Sequence, residues 1–160
     1  MSTNRLTDLF EVAGQSPWLD NLKREYIVNG DFARVLASGI RGLTSNPTIF
    51  QKAIQGSSLY DEQFERATEN GLSTEDTYWE LVVSDIVGAL DIFAPLYVSS
   101  SGLDGFVSVE VSPALAYDMA GTVAAAQDLY DRIARPNVMI KVPATQACIP
   151  AIEEIISRGI

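Results

Sequence analysis

No histidine occurs in the 160 residues, cysteine occurs once, as Cys148, and lysine three times, as Lys23, Lys52 and Lys141. Without imidazole there is no serine-histidine triad and no histidine-ligated metal, and a lone thiol forms neither an internal disulfide nor a paired-cysteine zinc site. Positive charge is also scarce. Eleven basic against 21 acidic residues leave a net charge of −10, which argues against nucleic acid or an anionic membrane as the main partner. No basic start is followed by a signal-type apolar region, and no apolar run approaches the length of a membrane span, so a cytoplasmic protein is expected. The chemistry left is that of lysine, carboxylate, hydroxyl and amide groups.

What is present is a core-forming composition with 47% hydrophobic residues, enough for one domain over residues 1–160. Apolar spacing predicts helices over Asn4 to Val12, over Asp31 to Ser38 with Asp31 as N-cap, and over Ser73 or Thr74 to Tyr97. In the last of these, Ser73 and Asp76 have capping-box spacing, and Pro95 is expected to bend or end the final turn. A closing helix is predicted from Ile149 to Arg158, stopped at Gly159. Between the helices lie short apolar runs of strand length: Trp18-Leu19, Ile40 to Leu43, Phe106 to Val111 and Val138 to Val142. Apolar strands alternating with helices imply a parallel sheet covered on its faces.

The pattern makes four β/α units. A doubly wound sheet could hold them, but the glycine-rich phosphate fingerprint after its first strand is missing. A (β/α)₈ barrel requires about 250 residues, of which this chain would supply about half.

The candidate functional residues follow from the barrel rule that active groups stand at the C-terminal ends of strands. It selects Asp20 after the first strand, Thr44, Ser45 and Asn46 after the second, Glu110 in the third and Lys141 in the fourth. Lys141 interrupts the apolar run Val138-Met139-Ile140-Lys141-Val142. Burial there would disfavour its ammonium and free a nucleophilic amine able to form a Schiff base with a carbonyl. On that run alone the plainer reading, a strand-end lysine snorkelling to solvent before Pro143, is favoured. Each of the others has a plain alternative too. Asp20 could cap a helix over Asn21 to Tyr26, and Asn46-Pro47 is a common loop-to-helix start. Glu110 shares its strand face with Ser108, between Val107, Val109 and Val111, which a solvated face of an antiparallel sheet would explain, whereas a barrel interior would require a partner for the carboxylate.

Taken in order, Trp18-Leu19-Asp20, Gly42-Leu43-Thr44-Ser45-Asn46-Pro47, Val107-Ser108-Val109-Glu110-Val111 and Asn137 through Thr145 resemble transaldolase over nearly the whole chain. The resemblance implies a cofactor-free, metal-free (β/α)₈ barrel enzyme of the pentose phosphate pathway. It moves a dihydroxyacetone unit from a ketose phosphate such as sedoheptulose 7-phosphate to an aldose phosphate such as glyceraldehyde 3-phosphate. By position it implies that Lys141 is the Schiff-base lysine, that Asp20 is the acid/base in carbon–carbon cleavage, and that Glu110 acts through a water on imine formation. Asn46, with Thr44 and Ser45, would contact the dihydroxyacetone moiety. Two departures stand out. Cys148 occupies a usual glycine position, where a side chain is expected to crowd the loop, and the family continues through four further β/α units that carry the phosphate-holding residues. Three states are therefore expected as alternatives: the N-terminal half of a transaldolase, a half-barrel whose exposed edges self-associate or pair with a complementary chain, and a non-catalytic remnant.

Overall fold

The computed structural model describes residues 4–160, and over them four strands form one all-parallel sheet in the sequential order β1-β2-β3-β4. The strands are β1 (Trp18–Asp20), β2 (Gly42–Thr44), β3 (Phe106–Glu110) and β4 (Val138–Lys141). Sequential parallel order with helical crossovers is the arrangement of consecutive β/α units, as expected. β2 lies about two residues later than its apolar run suggested. Arg41 precedes it, with its side chain bound to Asp104, its amide donating to the Pro17 carbonyl and its own carbonyl accepting from the Gly105 amide, and the first paired rung is Gly42 with Phe106.

Eight helices accompany the strands among the described residues. α1 (Arg5–Ala13) starts at Asn4, whose side chain accepts from the Leu6 amide, and ends at Gly14 in the left-handed region at φ 65°, a routine C-terminal stop. α2 (Arg24–Val28) and α3 (Asp31–Ala37) follow β1. Asp31 is not the N-cap of α3; Gly30 holds that place, and Asp31 lies in the first turn, its amide bound by the Asn29 side chain. α4 (Pro47–Gln55) begins with Asn46 as N-cap and proline in its first turn, as the residue pair predicts.

A 3₁₀ turn over Ser58–Tyr60 leads to α5 (Asp61–Glu69), a helix with no apolar stripe to announce it; Ala67 is its buried residue. α6 (Thr74–Ser99) opens at Ser73, whose hydroxyl accepts from the Asp76 amide. Pro95 does not end it. The ring lies on the exposed side, and the last turn is held by Tyr97 packing edge-on to Phe106 of β3, with centroids 5.3 Å apart. By length and composition α6 could cross a membrane, contrary to the expectation from its sequence. Here it lies against the sheet, burying Leu81, Val82, Ile86, Ala89, Leu90 and Phe93. α7 (Met119–Ile133) starts from the Asp118 cap, and α8 (Ile149–Ser157) closes the described chain.

Side chains alternate across the strands. Leu43, Val107 and Val109 are buried on the helix-covered side, where they join Phe32, Ile86, Leu90 and Phe93 in the main core. Trp18, Gly42, Thr44, Ser108, Glu110, Met139 and Lys141 take the other, concave side by the same alternation. Two buried polar ties hold the ends of this arrangement. At the N-terminal end of the strands, Arg41 donates to Asp104 at 2.7 Å, Ser16 donates to the same carboxylate, and the Arg41 guanidinium lies 3.5 Å from the centre of the Phe10 ring. On the helical layer, Asp85 accepts from Arg24 Nε at 2.7 Å and from the Tyr60 hydroxyl at 2.7 Å, joining α2, the 3₁₀ turn and α6.

Gly42 faces Trp18 across the first rung. A Cβ there would clash with the Trp18 indole, so Gly42→Ala should cost about 1–3 kcal/mol of stability by overpacking, read as a lowered urea midpoint. Burial, followed by the negative charge of Asp85, raises the Tyr60 phenol above its ordinary value of 10.0. The folded state therefore keeps the proton that the unfolded chain gives up near pH 10. Stability is retained below that pH and falls as pH rises above it. Unfolding curves between pH 9 and 11 should show this alkaline loss, and Tyr60→Phe should flatten it.

Candidate active site

The parallel register brings the selected residues to one mouth at the C-terminal edge of the sheet. Asp20 pairs in register with Thr44, Thr44 with Ser108, and Glu110 with Lys141. On the upper rung Lys141 Nζ donates to Glu110 Oε1 as an ion pair, with the lysine side chain 47% and the glutamate 29% exposed. The apolar run around Lys141 does not bury it, because the concave face on which it stands is open. Half of the plainer expectation, an ammonium reaching solvent, is met, and its partner is a carboxylate on the neighbouring strand.

On the lower rung Thr44 Oγ1 donates to Asp20 Oδ1 at 2.6 Å. Asp20 is the last residue of β1 and does not cap a helix; α2 starts only at Arg24, after Lys23. Asn46 spends its side-chain oxygen on the α4 cap, accepting from the Ile49 amide at 3.0 Å. That leaves its N–H₂ group for the cleft it lines. Ser45 stands apart. It is fully buried, and its hydroxyl donates to the carbonyl of Ser108 at 2.8 Å, which ties the β2 loop to β3 instead of facing the mouth.

The mouth has two lobes. One, of about 590 Å³, is lined by Asp20, Asn46, Pro47, Thr48, Ile49, Lys52, Glu110 and Pro113. The other, of about 320 Å³, is lined by Glu110, Lys141, Val111, Pro113, Ala116, Val142 and Pro143. Glu110 and Pro113 belong to both, so the carboxylate stands where they meet. A cavity with apolar walls, two carboxylates, an amide and an amine suits a small polyhydroxylated carbonyl compound. Among the described residues no group of three or more carboxylate or cysteine side chains is placed to hold a metal ion.

Three features of the mouth were not selected from the sequence. Tyr78, near the start of α6, has its phenol raised above the usual value, first by burial and then by the charge of Glu110, which places a protonated hydroxyl in the field of that carboxylate. Lys52, one turn into α4, lines the larger lobe; a cation spaced to follow Asn46 on a helix was its only signal. Ser108 is 2% exposed, and its hydroxyl has no hydrogen-bond partner among the described residues, a condition that costs about 1–3 kcal/mol. Cys148, by contrast, does not crowd the mouth. Its thiol is buried against the carbonyls of Leu115 and Ala116, at 3.5 and 3.4 Å, beneath the loop after β3.

A family model described as transaldolase/fructose-6-phosphate aldolase matches residues 17–160. The chain belongs to that family. It is 44% identical over its full length to transaldolase 2 of a Nostoc species. To a transaldolase of Neisseria gonorrhoeae it is 46% identical over 92% of its length, and to one of Saccharopolyspora erythraea 43% over all of it. The chain spans 42–43% of the length of these transaldolases. Within the matched region lie all the residues of both rungs, so the transaldolase-family segment contains its Lys141–Glu110 and Asp20–Thr44 pairs complete.

Because the upper pair is partly exposed, it contributes little to folding; such pairs contribute about 0–1 kcal/mol. Glu110→Gln and Lys141→Ala should each leave the unfolding free energy within about 1 kcal/mol of the parent. A loss well beyond that in urea titrations would give the pair a structural role instead.

Proposed function

We propose that the protein acts as a transaldolase, forming a Schiff base through Lys141 and transferring a dihydroxyacetone unit between sugar phosphates of the pentose phosphate pathway. The observation that carries this reading is the placement of an amine, Lys141, on a strand end beside one carboxylate, Glu110, with a second carboxylate, Asp20, across the same mouth.

The Lys141 amine adds to the carbonyl carbon of a ketose phosphate such as sedoheptulose 7-phosphate. With Glu110 moving protons through a water molecule, the carbonyl oxygen departs as water, taking one amine hydrogen and one relayed proton, and leaves a protonated imine on Lys141. Asp20 then accepts the proton of the hydroxyl on the far carbon of the bond to be cleaved. That bond breaks, an aldose phosphate leaves, and its electron pair passes into the enamine of the three-carbon unit held on Lys141. Addition of the enamine to glyceraldehyde 3-phosphate or another aldose phosphate, with Asp20 returning the proton, forms the new bond. Hydrolysis of the imine frees the product.

Thr44 acts in this scheme by holding Asp20, to which its hydroxyl is already committed. The Asn46 amide donates to the hydroxyls of the three-carbon unit. Ser45 supports the loop from behind. Among the described residues β1 and β4 are the edges of the sheet, and Met139 on the concave face is 41% exposed. These features favour completion of the site by further strands.

Incubation with fructose 6-phosphate and borohydride, followed by peptide mass spectrometry, tests the reading. A reduced adduct on Lys141 is expected and is abolished in Lys141→Ala, whereas Asp20→Asn should still form it but release the aldose roughly 100- to 10,000-fold more slowly. Labelling per chain that rises with protein concentration would indicate completion by a second copy. Absence of any adduct at saturating ketose, at every concentration, would refute the Schiff-base reading.

A further inference from the structure

Ser108 is a buried hydroxyl without a partner, on the same strand face as Glu110 and one rung below it. Its neighbours in register are Thr44 and Met139, and neither bonds it; Thr44 is committed to Asp20. Its backbone is pinned, since the Ser108 carbonyl accepts from the buried Ser45 hydroxyl at 2.8 Å. Fold alone does not call for the hydroxyl, because alanine would fill the place without an unpaired polar atom. A group kept in this condition beside a working carboxylate has its partner in another state of the site.

The change of state is the one that Lys141 undergoes in the reading above, on which this inference rests. Before reaction the ammonium holds Glu110 through its N–H bonds. Once the amine has become a protonated imine, its nitrogen keeps a single N–H in place of the ammonium's three, and the carboxylate loses most of its anchor. Residues two apart on a strand lie about 6.6 Å from each other, a gap that a glutamate side chain folding back can close.

We propose that Ser108 is a positioning residue for Glu110: its hydroxyl donates to the freed carboxylate in the imine state and keeps it at the junction of the two lobes. The carboxylate also faces Lys141 on β4, Tyr78 on α6 and, across the larger lobe, Asp20 on β1 and Lys52 on α4. None of these shares its strand face at a distance set by the backbone.

Ser108→Ala and Ser108→Thr test this in the full chain, by the rate of adduct formation on Lys141 with fructose 6-phosphate and cyanoborohydride across pH, together with urea unfolding. The alanine variant should label roughly 10- to 100-fold more slowly, the worth of one hydrogen bond to a charged group. The acid limb of its profile should move to higher pH, since a lost donor disfavours the carboxylate. Its urea midpoint should not fall, and threonine should restore rate and profile. An unchanged rate and acid limb in Ser108→Ala would overturn the proposal while the parent is still labelled. A lowered midpoint without a shifted limb would overturn it equally, by showing a structural role. Failure of the parent itself to be labelled removes the Schiff-base reading and this inference together.

Discussion

Every functional feature of this chain depends on the parallel register of β3 and β4, which sets Glu110 opposite Lys141. A slip of one residue would turn Lys141 into the helix-covered core and bring Ile140 to the mouth, since side chains alternate with period two. What prevents the slip is burial. Val107 and Val109 are 0–1% exposed on the helix side, and a slip would exchange them for Ser108 and Glu110 in an apolar environment. The apolar face thus determines the polar one. The site carries little of the stabilising energy and is placed by residues that never touch it.

Stability and chemistry are divided between the two ends of the strands. At the N-terminal end, the Arg41–Asp104 pair is nearly removed from solvent, and buried Asn137 donates to the carbonyls of Leu90 and Gly105. These satisfied networks lie at the opposite end of the strands from the mouth, and breaking one partner of such a pair leaves a buried charge. At the C-terminal end the paired polar groups are partly exposed, whereas Ser45 and Ser108 are buried. Groups that must exchange partners during a reaction cannot also be the rivets of the fold.

Much of this was legible beforehand. Strand number, parallel pairing and the alternation of helices follow from short apolar runs separated by helical spacing, a signal that buried sheets impose on sequence. The caps at Ser73 and Asn46 were legible because capping is local. α5 was not, since Ala67 is its one buried residue, and α2 was legible only as the alternative helix over Asn21 to Tyr26, which it overlaps in part. Pro95 misled because its penalty is local, whereas the contact of Tyr97 with Phe106 that outweighs it joins residues distant in sequence. Cys148 misled in the same manner: the space that accepts its thiol is made by carbonyls of the loop after β3.

By itself the sequence determined which chemistry was available: an amine, two carboxylates and an amide at strand ends, with no imidazole and one thiol. It determined their order and their face, because strand periodicity is a property of the backbone. Only the tertiary structure decided which of these groups meet. It paired Lys141 with Glu110 and Asp20 with Thr44, withdrew Ser45 into the interior, left Ser108 without a partner and opened Lys141 to solvent. The physical reason is that hydrogen bonds and burial at these positions depend on neighbours brought from other strands, and no local pattern records how deeply those neighbours will cover a side chain.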